Sequence, residues 1–386
     1  MGEKDCRIIK FLSNGPRPLA GLRGEMPVGT LYRHINRLLR EGYITRRGSQ
    51  YQATERGLAL LEEVGGEEDW GGLVGLYPPL REVPTGHHRA MIELILAAVV
   101  ARRYEGREDH HPTFVLMGRT LAWKTSLAKF ACYMLGLDPN LNILDCSTEV
   151  GKSMWIRRGP TGEVTFERKI LDSPFVAFDE YLLADPRVRV IIGHFIQGRK
   201  VVPFENEALA IEPVPLITLN PKRGKTLEER TSFNSPQIRR SVICDLDAVT
   251  LPDLALVGER PLEVARSHPP IKIRGPQVDL MPRREEVIKL LRGVIRPEWE
   301  WLVDFEMITL LCTGMTAFLD TDRAMRQVAY DYCLIASTLG WVVEGWRHKV
   351  ASFSKGHSEG RGEASKGAVI SLWPERRNAQ RYDARF

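Results

Sequence analysis

The chain has 386 residues, of which 43% are hydrophobic and 27% charged, and its formal net charge is +5. At about 150 residues per domain this length excludes one small domain, and the composition excludes a chain that is disordered throughout. No long uncharged apolar run and no apolar N-terminal signal segment is present, so we expect a cytoplasmic protein with no membrane partner. The basic residues are concentrated in residues 1–64 and 347–386, which favours contact with a polyanion at both ends.

The first domain is predicted to contain a basic amphipathic helix after two short helices. Residues 26–42 carry apolar side chains at helical spacing on one side and basic or polar side chains on the other. Two short strands, 43–46 and 50–53, follow as a hairpin, and Thr54 then caps another helix. We place this domain at residues 1–64.

The stretch GTLYRHINRLLREGYITRRGSQYQATERGLALLE is similar to winged helix-turn-helix regulators of the PadR and MarR type. This resemblance implies that the third helix enters the major groove of DNA and that the hairpin contacts the backbone or the minor groove. The residues that would contact DNA are Arg33, Asn36, Arg37, Arg46 and Arg47. A winged helix that binds protein is the alternative.

A phosphate-binding loop is predicted in the second domain. A linker rich in Gly, Pro and acidic residues, 65–86, precedes a long apolar helix, and a short apolar strand then leads through GRTLAWKTS into a further helix. Strand, loop with Lys-Thr, and helix is the setting that a P-loop requires, since the loop N–H groups cradle phosphate and the Thr hydroxyl binds Mg²⁺. The expected nucleotide-binding residues of this loop are Gly118, Trp123, Lys124, Thr125 and Ser126.

The loop departs from the usual GxxxxGK[ST] pattern, because Trp123 stands in the place of the second glycine and Leu121 replaces another loop glycine. That glycine normally lets the backbone approach phosphate without a Cβ in the way. A rival segment, CSTEVGKS over residues 146–153, keeps GKS but lacks the first glycine and is followed by too short a segment for the required helix. We therefore favour Lys124.

Two further strands are predicted to end in polar residues. The strand SPFVAF ends in Asp179 and Glu180, the form of a Walker B segment, in which Asp179 would hold Mg²⁺ and Glu180 would polarise the attacking water. The strand PLITL ends in Asn220 after a helix and a hairpin-like segment. Thr125 and Asp179 are thus the expected metal-binding residues.

The order of these motifs resembles AAA+ ATPases with an insertion in the second helix, the MoxR-type and minichromosome-maintenance (MCM) ATPases. The resemblance implies an α/β fold in which a winged helix precedes a P-loop αβα core with a parallel sheet, over 87–250. A C-terminal helical lid would follow over 251–350, and a flexible basic tail over 351–386.

The same resemblance assigns roles to residues outside the loop. Asn220 would be sensor 1 and orient the lytic water, and Arg240, with Arg239 as the second choice, would reach the γ-phosphate of a neighbouring subunit. Arg323 would contact the nucleotide from the lid. Arg157 and Arg158, in a hairpin near the pore-facing insertion, would contact DNA.

The function implied is that of a ring, hexameric by resemblance, that couples the binding and hydrolysis of ATP with Mg²⁺ to DNA remodelling or unwinding, of the helicase or replication-initiation type. A DNA-binding regulator that only switches with nucleotide is one alternative, favoured by Trp123. A MoxR-like remodelling chaperone, whose winged helix binds protein, is another.

Overall fold

The computed structural model divides the chain into two compact units, residues 1–70 and 71–386, which we treat separately. The structure describes residues 8–9, 11–12, 18–19, 28–48, 50–54, 73–102, 112–147, 156–158, 164–166, 173–196, 201–204, 207–210, 213–252, 257–273 and 275–352.

The described residues of the first unit include a helix and an antiparallel hairpin. The helix is α1 (Val28–Arg40), and the hairpin pairs β1 (Ile44–Arg47) with β2 (Gln50–Ala53), joined by a turn with Gly48 at φ 64°. The apolar side of α1 is buried with residues of both strands, as the helical spacing predicts. The short helices expected before α1 and the helix expected after Thr54 lie largely outside the described residues.

Residues 73–82, which we expected to belong to a linker over 65–86, are part of the core of the second unit. They form two 3₁₀ turns, Leu73–Gly75 and Pro78–Glu82. Leu73, Tyr77 and Leu80 are at most 1% exposed and pack in the same apolar cluster as the sheet. The linker prediction was wrong here, because the apolar residues between the prolines and glycines gain more from burial than the local composition suggests.

The second unit alternates strands and helices. Its first half contains α2 (Gly86–Arg102), β3 (Thr113–Met117), α3 (Lys124–Leu135), α4 (Pro139–Asn142), β4 (Ile143–Asp145), β5 (Ile156–Arg158), β6 (Val164–Phe166), β7 (Phe175–Asp179) and α5 (Pro186–Ile196). Its second half contains β8 (Val201–Phe204), β9 (Glu207–Ala210), β10 (Val214–Leu219), α6 (Leu227–Thr231), α7 (Ser235–Arg239), β11 (Ser241–Asp245), α8 (Arg260–Ser267), α9 (Arg284–Arg292), α10 (Phe305–Met315), α11 (Thr321–Ser337) and α12 (Trp346–Ser352).

Five strands form a parallel sheet in the order β11-β3-β10-β7-β4. All residues of β3, β7, β10 and β11 are buried, as is expected for parallel strands covered on both faces. Because the strands are parallel, the loops after β3, β7 and β10 meet at one edge of the sheet. The sheet and its helices confirm the α/β fold with an αβα core.

Two antiparallel hairpins accompany this sheet. The pair β5-β6 flanks residues 159–163, where the sequence predicted a hairpin, and the pair β8-β9 follows α5. Within the rival loop at 146–153, residues 148–153 lie outside the described part of the chain. No described helix is both long enough and apolar enough to cross a membrane.

The C-terminal region is helical, as predicted for a lid, but its core is continuous with that of the sheet. Helix α10 packs so closely on α2 that a Cβ on Gly314 would lie 1.9 Å from the Ala97 carbonyl oxygen. Helix α11 runs antiparallel to α2, since Leu334 lies beside Gly86 and Gln327 beside Glu93. The region 257–352 and the sheet therefore pack as parts of one unit.

Candidate nucleotide site

The predicted phosphate-binding loop, residues 118–126, which we call the P-loop, connects the carboxyl end of β3 to the first turn of α3. A Cβ on Gly118 would approach the Leu246 Cβ to 2.9 Å, so the start of the loop requires glycine. Leu121 and Trp123 have positive φ values of 67° and 61°, a region that non-glycine residues rarely occupy. Helix α3 begins directly after this strained loop, so the N–H groups of its first turn lie at the same edge of the sheet.

Lys124 lies at the centre of this edge. Its Nζ donates hydrogen bonds to the carbonyl oxygens of Gly118 and Arg119, both at 2.8 Å, and to Asn220 Oδ1 at 2.9 Å. Burial lowers the pKa of Lys124, whereas the nearby carboxylates of Glu180, Asp179 and Asp247 oppose that change. The ammonium group is thus held beside three acids and aligned by three acceptors.

Thr125 and Asp179 are joined by a hydrogen bond of 2.8 Å, from the Thr125 hydroxyl to Asp179 Oδ2. The other carboxylate oxygen of Asp179 accepts a hydrogen bond from the Thr218 hydroxyl, which itself accepts the Glu180 N–H at 3.2 Å. Thr218 is fully buried in β10. Sequence analysis did not identify this residue, because a threonine within an apolar strand has no local pattern that indicates a role.

Glu180 and Asn220 form the third part of the site. Asn220 Nδ2 lies 2.9 Å and 3.1 Å from the two carboxylate oxygens of Glu180. Burial raises the pKa of Glu180, while Lys124 lowers it and Asp179 raises it further. The amide of Asn220 therefore links the ammonium of Lys124 to the carboxylate of Glu180.

Trp123 is buried rather than exposed in the loop. Its indole is 7% exposed and packs against the His88 ring, with centroids 5.5 Å apart and planes at 83°, and against Phe130. Leu121, in contrast, is 84% exposed. The large residue at the glycine position thus packs into the core beside α2.

Asp247 holds the other side of the P-loop, and sequence analysis did not identify it. Its carboxylate accepts the N–H of Arg119 at 2.9 Å from the turn that follows β11. The neighbouring Asp245 is paired with Arg230 at 2.6 Å.

The structure brings together most of the residues predicted for nucleotide and metal binding. The residues gathered at this edge of the sheet are Gly118, Trp123, Lys124, Thr125, Ser126, Asp179, Glu180 and Asn220. Ser126 is half-buried in the first turn of α3.

The predicted arginine fingers lie at the opposite edge of the sheet. The Arg240 carbonyl accepts the N–H of Thr113, the first residue of β3, at 3.1 Å. At about 3.3 Å per residue, the five residues of β3 separate this point from the P-loop by about 16 Å. Arg240 and the exposed Arg239 therefore do not belong to the P-loop site of their own chain.

The structure does not bring Arg323 to the nucleotide site either. Helix α11 is antiparallel to α2, so Arg323 lies level with the middle of α2, about 13 Å along the axis from His88, which contacts the P-loop. Its side chain is 54% exposed and lies 3.9 Å from Asp320. The resemblance implied that Arg323 contacts the nucleotide from the lid, whereas the contact of Leu334 with Gly86 places the carboxyl-terminal half of α11 near His88.

The residues predicted to bind DNA are on both units. On α1, Arg33 and Asn36 are exposed and Arg37 is half-buried beside His34, at 3.3 Å. In the hairpin, Arg46 is exposed and its Nε donates to the Gly48 carbonyl at 2.8 Å.

Three more of these residues are described only by their backbone. Arg47 pairs with Gln50 at the end of β1. Arg157 and Arg158 lie on β5, opposite Thr165 and Val164.

Comparison with models of known protein families gave no match, and comparison with curated proteins gave none either. Among solved structures, a full-length MCM homolog from Methanopyrus kandleri is similar over 80% of this chain and 64% of its own, with 14% sequence identity and a TM-score of 0.41. A candidate ATPase from Cytophaga hutchinsonii is similar over 74% of this chain and 100% of its own, with 13% identity and a TM-score of 0.40. This chain thus spans 64% of the length of the MCM homolog.

Proposed function

We propose that the protein is a DNA-binding AAA+ ATPase that forms a ring and couples ATP binding and hydrolysis to DNA remodelling or unwinding. The observation that carries the proposal is the hydrogen-bonded group of Lys124, Thr125, Asp179, Glu180 and Asn220 at the carboxyl edge of a parallel sheet. Lys124 supplies a cation that can bind phosphate, and Thr125 and Asp179 supply oxygen ligands for a metal ion. Glu180 supplies a carboxylate that can activate the attacking water.

The residues present fit Mg²⁺ with ATP. The Thr125 hydroxyl and the Asp179 carboxylate are the oxygen donors that Mg²⁺ prefers. Among the described residues, no group of three or more His, Cys, Asp or Glu could hold a metal ion. When bound, Mg²⁺ would neutralise charge on the β- and γ-phosphates.

The roles of the chain's own residues follow from their positions. Lys124 exchanges its loop carbonyl acceptors for phosphate oxygens, and the N–H groups at the start of α3 bind the same phosphates. Glu180 accepts a proton from the attacking water, since its carboxylate lies at the edge of the site beside Asn220 and Asp179. Asn220 orients the Glu180 carboxylate and exchanges that contact for water during the reaction.

A ring is proposed because the arginines that would stabilise transition-state charge lie far from the P-loop of their own chain. Arg240, with Arg239 beside it, is at the amino edge of the sheet, where a second copy of the chain would present its nucleotide. Such a contact in trans needs at least two subunits, and the resemblance to MCM ATPases implies six.

DNA is the proposed substrate of the ring. The exposed Arg33 and Asn36 of α1, with Arg37, would read the major groove, and Arg46 and Arg47 would contact the backbone. Arg157 and Arg158 on β5 would contact a DNA strand in the pore of the ring.

The test measures ATP hydrolysis by the full chain without DNA, with single-stranded DNA and with duplex DNA, together with Mg·ATP binding. Wild-type protein should bind and hydrolyse ATP, and DNA should stimulate turnover. Lys124→Ala should abolish binding, and Glu180→Gln should keep binding but stop turnover. Hydrolysis that survives both substitutions, or wild-type protein that binds no Mg·ATP, would refute the ATPase.

A nucleotide-switched DNA-binding regulator is the second candidate. The positive φ values of Leu121 and Trp123, in the places of two loop glycines, favour it, because both residues hold the loop in one strained conformation. In the same assays such a protein would bind Mg·ATP and change its oligomeric state, but wild-type and Glu180→Gln protein would be equally inactive in hydrolysis. Duplex unwinding by the purified protein would exclude it.

A further inference from the structure

A fully buried histidine of α2 contacts the P-loop from behind. His88 is 0% exposed, and its Nε2 lies 3.1 Å from the carbonyl oxygen of Ala122. Its Nδ1 lies 2.7 Å from the hydroxyl of Thr85, one turn earlier along the chain. The imidazole therefore has a partner on each nitrogen and connects α2 to the loop.

The direction of these two hydrogen bonds is determined by chemistry. Burial lowers the pKa of His88 to about 4, so the ring is neutral at pH 7. A carbonyl oxygen can only accept, so the ring proton is on Nε2 and donates to Ala122. Nδ1 then accepts the proton of the Thr85 hydroxyl.

The hydrogen bond to Ala122 orients the next peptide N–H. In a trans peptide the C=O of one residue and the N–H of the next point in opposite directions. With the Ala122 carbonyl directed at His88, the N–H of Trp123 is directed away from α2. A backbone N–H directed this way within the P-loop is a donor for a phosphate oxygen.

The indole of Trp123 stabilises the same conformation. The residue has φ 61° and ψ 21°, the left-handed region that a glycine at this position would enter without strain. Its ring packs nearly perpendicular to the His88 ring and also contacts Phe130, and these contacts oppose the strain of the backbone. In the described structure the same burial leaves the indole Nε1 without a hydrogen-bond partner, which reduces that gain.

We propose that His88 is a positioning residue of the nucleotide site. With Trp123 it forms a ring clamp, which holds the Trp123 N–H toward the polyphosphate and replaces the conformational freedom of the missing glycine. The inference rests on the proposed nucleotide site. It implies that the ring clamp compensates for the replacement of glycine by Trp123, so that the loop still binds nucleotide.

The decisive variant is Trp123→Gly, which restores the GxxxxGK pattern but removes half of the clamp. If the clamp positions the loop, this variant binds Mg·ADP and Mg·ATP about tenfold more weakly than the wild type, by titration calorimetry of the full chain. Equal or tighter binding by Trp123→Gly would overturn the proposal.

Substitutions of His88 separate its hydrogen bonds from its ring packing. His88→Phe keeps a ring against Trp123 but loses both hydrogen bonds, and we expect it to weaken binding about tenfold. His88→Gln keeps an amide donor for the Ala122 carbonyl, so it should recover part of the affinity. A purely structural role would give both variants the same affinity once their thermal unfolding curves show that they are folded.

Two controls complete the experiment. Thr85→Val removes the partner of Nδ1 and the hydroxyl that accepts the His88 backbone N–H at 3.3 Å. It keeps the hydrogen bond from Nε2 to the Ala122 carbonyl, so it should weaken binding by less than His88→Phe once its thermal unfolding curve shows that it is folded. The turnover number of Thr85→Val at saturating ATP should stay within about threefold of the wild type, because in the described structure Thr85 contacts no residue of the proposed site other than His88 and because Glu180 and Asn220 are unchanged. If the wild type binds no nucleotide, the proposed function fails along with the clamp, whereas unaltered binding by His88→Phe overturns the clamp alone.

Discussion

Replacing Thr218 by valine should weaken the site without removing any residue that would contact the nucleotide. The side chain keeps its shape, but the hydroxyl that donates to Asp179 and accepts the Glu180 N–H is lost. Since Thr218 is fully buried, water cannot take the place of either partner. In the described structure the hydrogen bond from the Thr125 hydroxyl to the Asp179 carboxylate then remains.

The size of the effect follows from these two hydrogen bonds. A hydrogen bond to a charged group contributes about 1.5–3 kcal/mol, and a buried N–H left without an acceptor costs about 1–3 kcal/mol. Partial relaxation of the strand end reduces their sum, so we expect the free energy of unfolding to fall by about 2–4 kcal/mol. The Mg²⁺ concentration needed for half-maximal ATP binding should rise at least tenfold, because the Asp179 carboxylate is no longer oriented.

Urea unfolding and Mg²⁺ titration of nucleotide binding measure the two effects separately. Thr218→Ser is the matched control, since it keeps the hydroxyl and loses one methyl group, and its Mg²⁺ requirement should be that of the wild type. A Thr218→Val protein with unchanged Mg²⁺ requirement and a free energy of unfolding within about 0.5 kcal/mol of the wild type would refute this account of the site.

Two further predictions concern the packing of the C-terminal helices on α2. Gly314→Ala should lower the free energy of unfolding by about 3 kcal/mol or more, because its Cβ would meet the backbone of Ala97. Gly293→Ala is the control and should change the free energy of unfolding by less than about 1 kcal/mol, because a Cβ there has no atom within contact distance. Equal urea midpoints for the two variants would contradict this prediction. Burial raises the pKa of both Glu93 and Asp331. The folded protein therefore keeps a proton that the unfolded chain releases above about pH 4. As a result, the free energy of unfolding should fall as the pH rises from about 4 toward neutrality. Glu93→Gln should flatten that fall in thermal unfolding measured across the range, and a variant as pH-sensitive as the wild type would contradict the assignment.

The parts of the site that could be predicted from the sequence are those encoded by short segments. The P-loop, Asp179 with Glu180, and Asn220 each follow an apolar strand, and parallel pairing is enough to bring the ends of such strands together. Thr218 and His88 could not be predicted, because their partners lie 39 and 34 residues away. No local pattern distinguishes either residue from other core residues.

The position of Arg323 illustrates the same limit. Helix α11 begins after Asp320, whose side chain accepts the Arg323 N–H. Which end of the helix faces the P-loop depends on its antiparallel packing on α2, through contacts such as that of Gln327 with Glu93. Sequence alone does not encode such a choice in any one segment.

The continuous core beneath α10 and α11 has a mechanical consequence. A hinge between the sheet and residues 257–352 would have to separate Gly314 from the backbone of Ala97 and expose the apolar residues around it, at about 25 cal/mol for each Å² uncovered. If nucleotide binding moves the P-loop, the sheet and these helices would therefore move together as one rigid body.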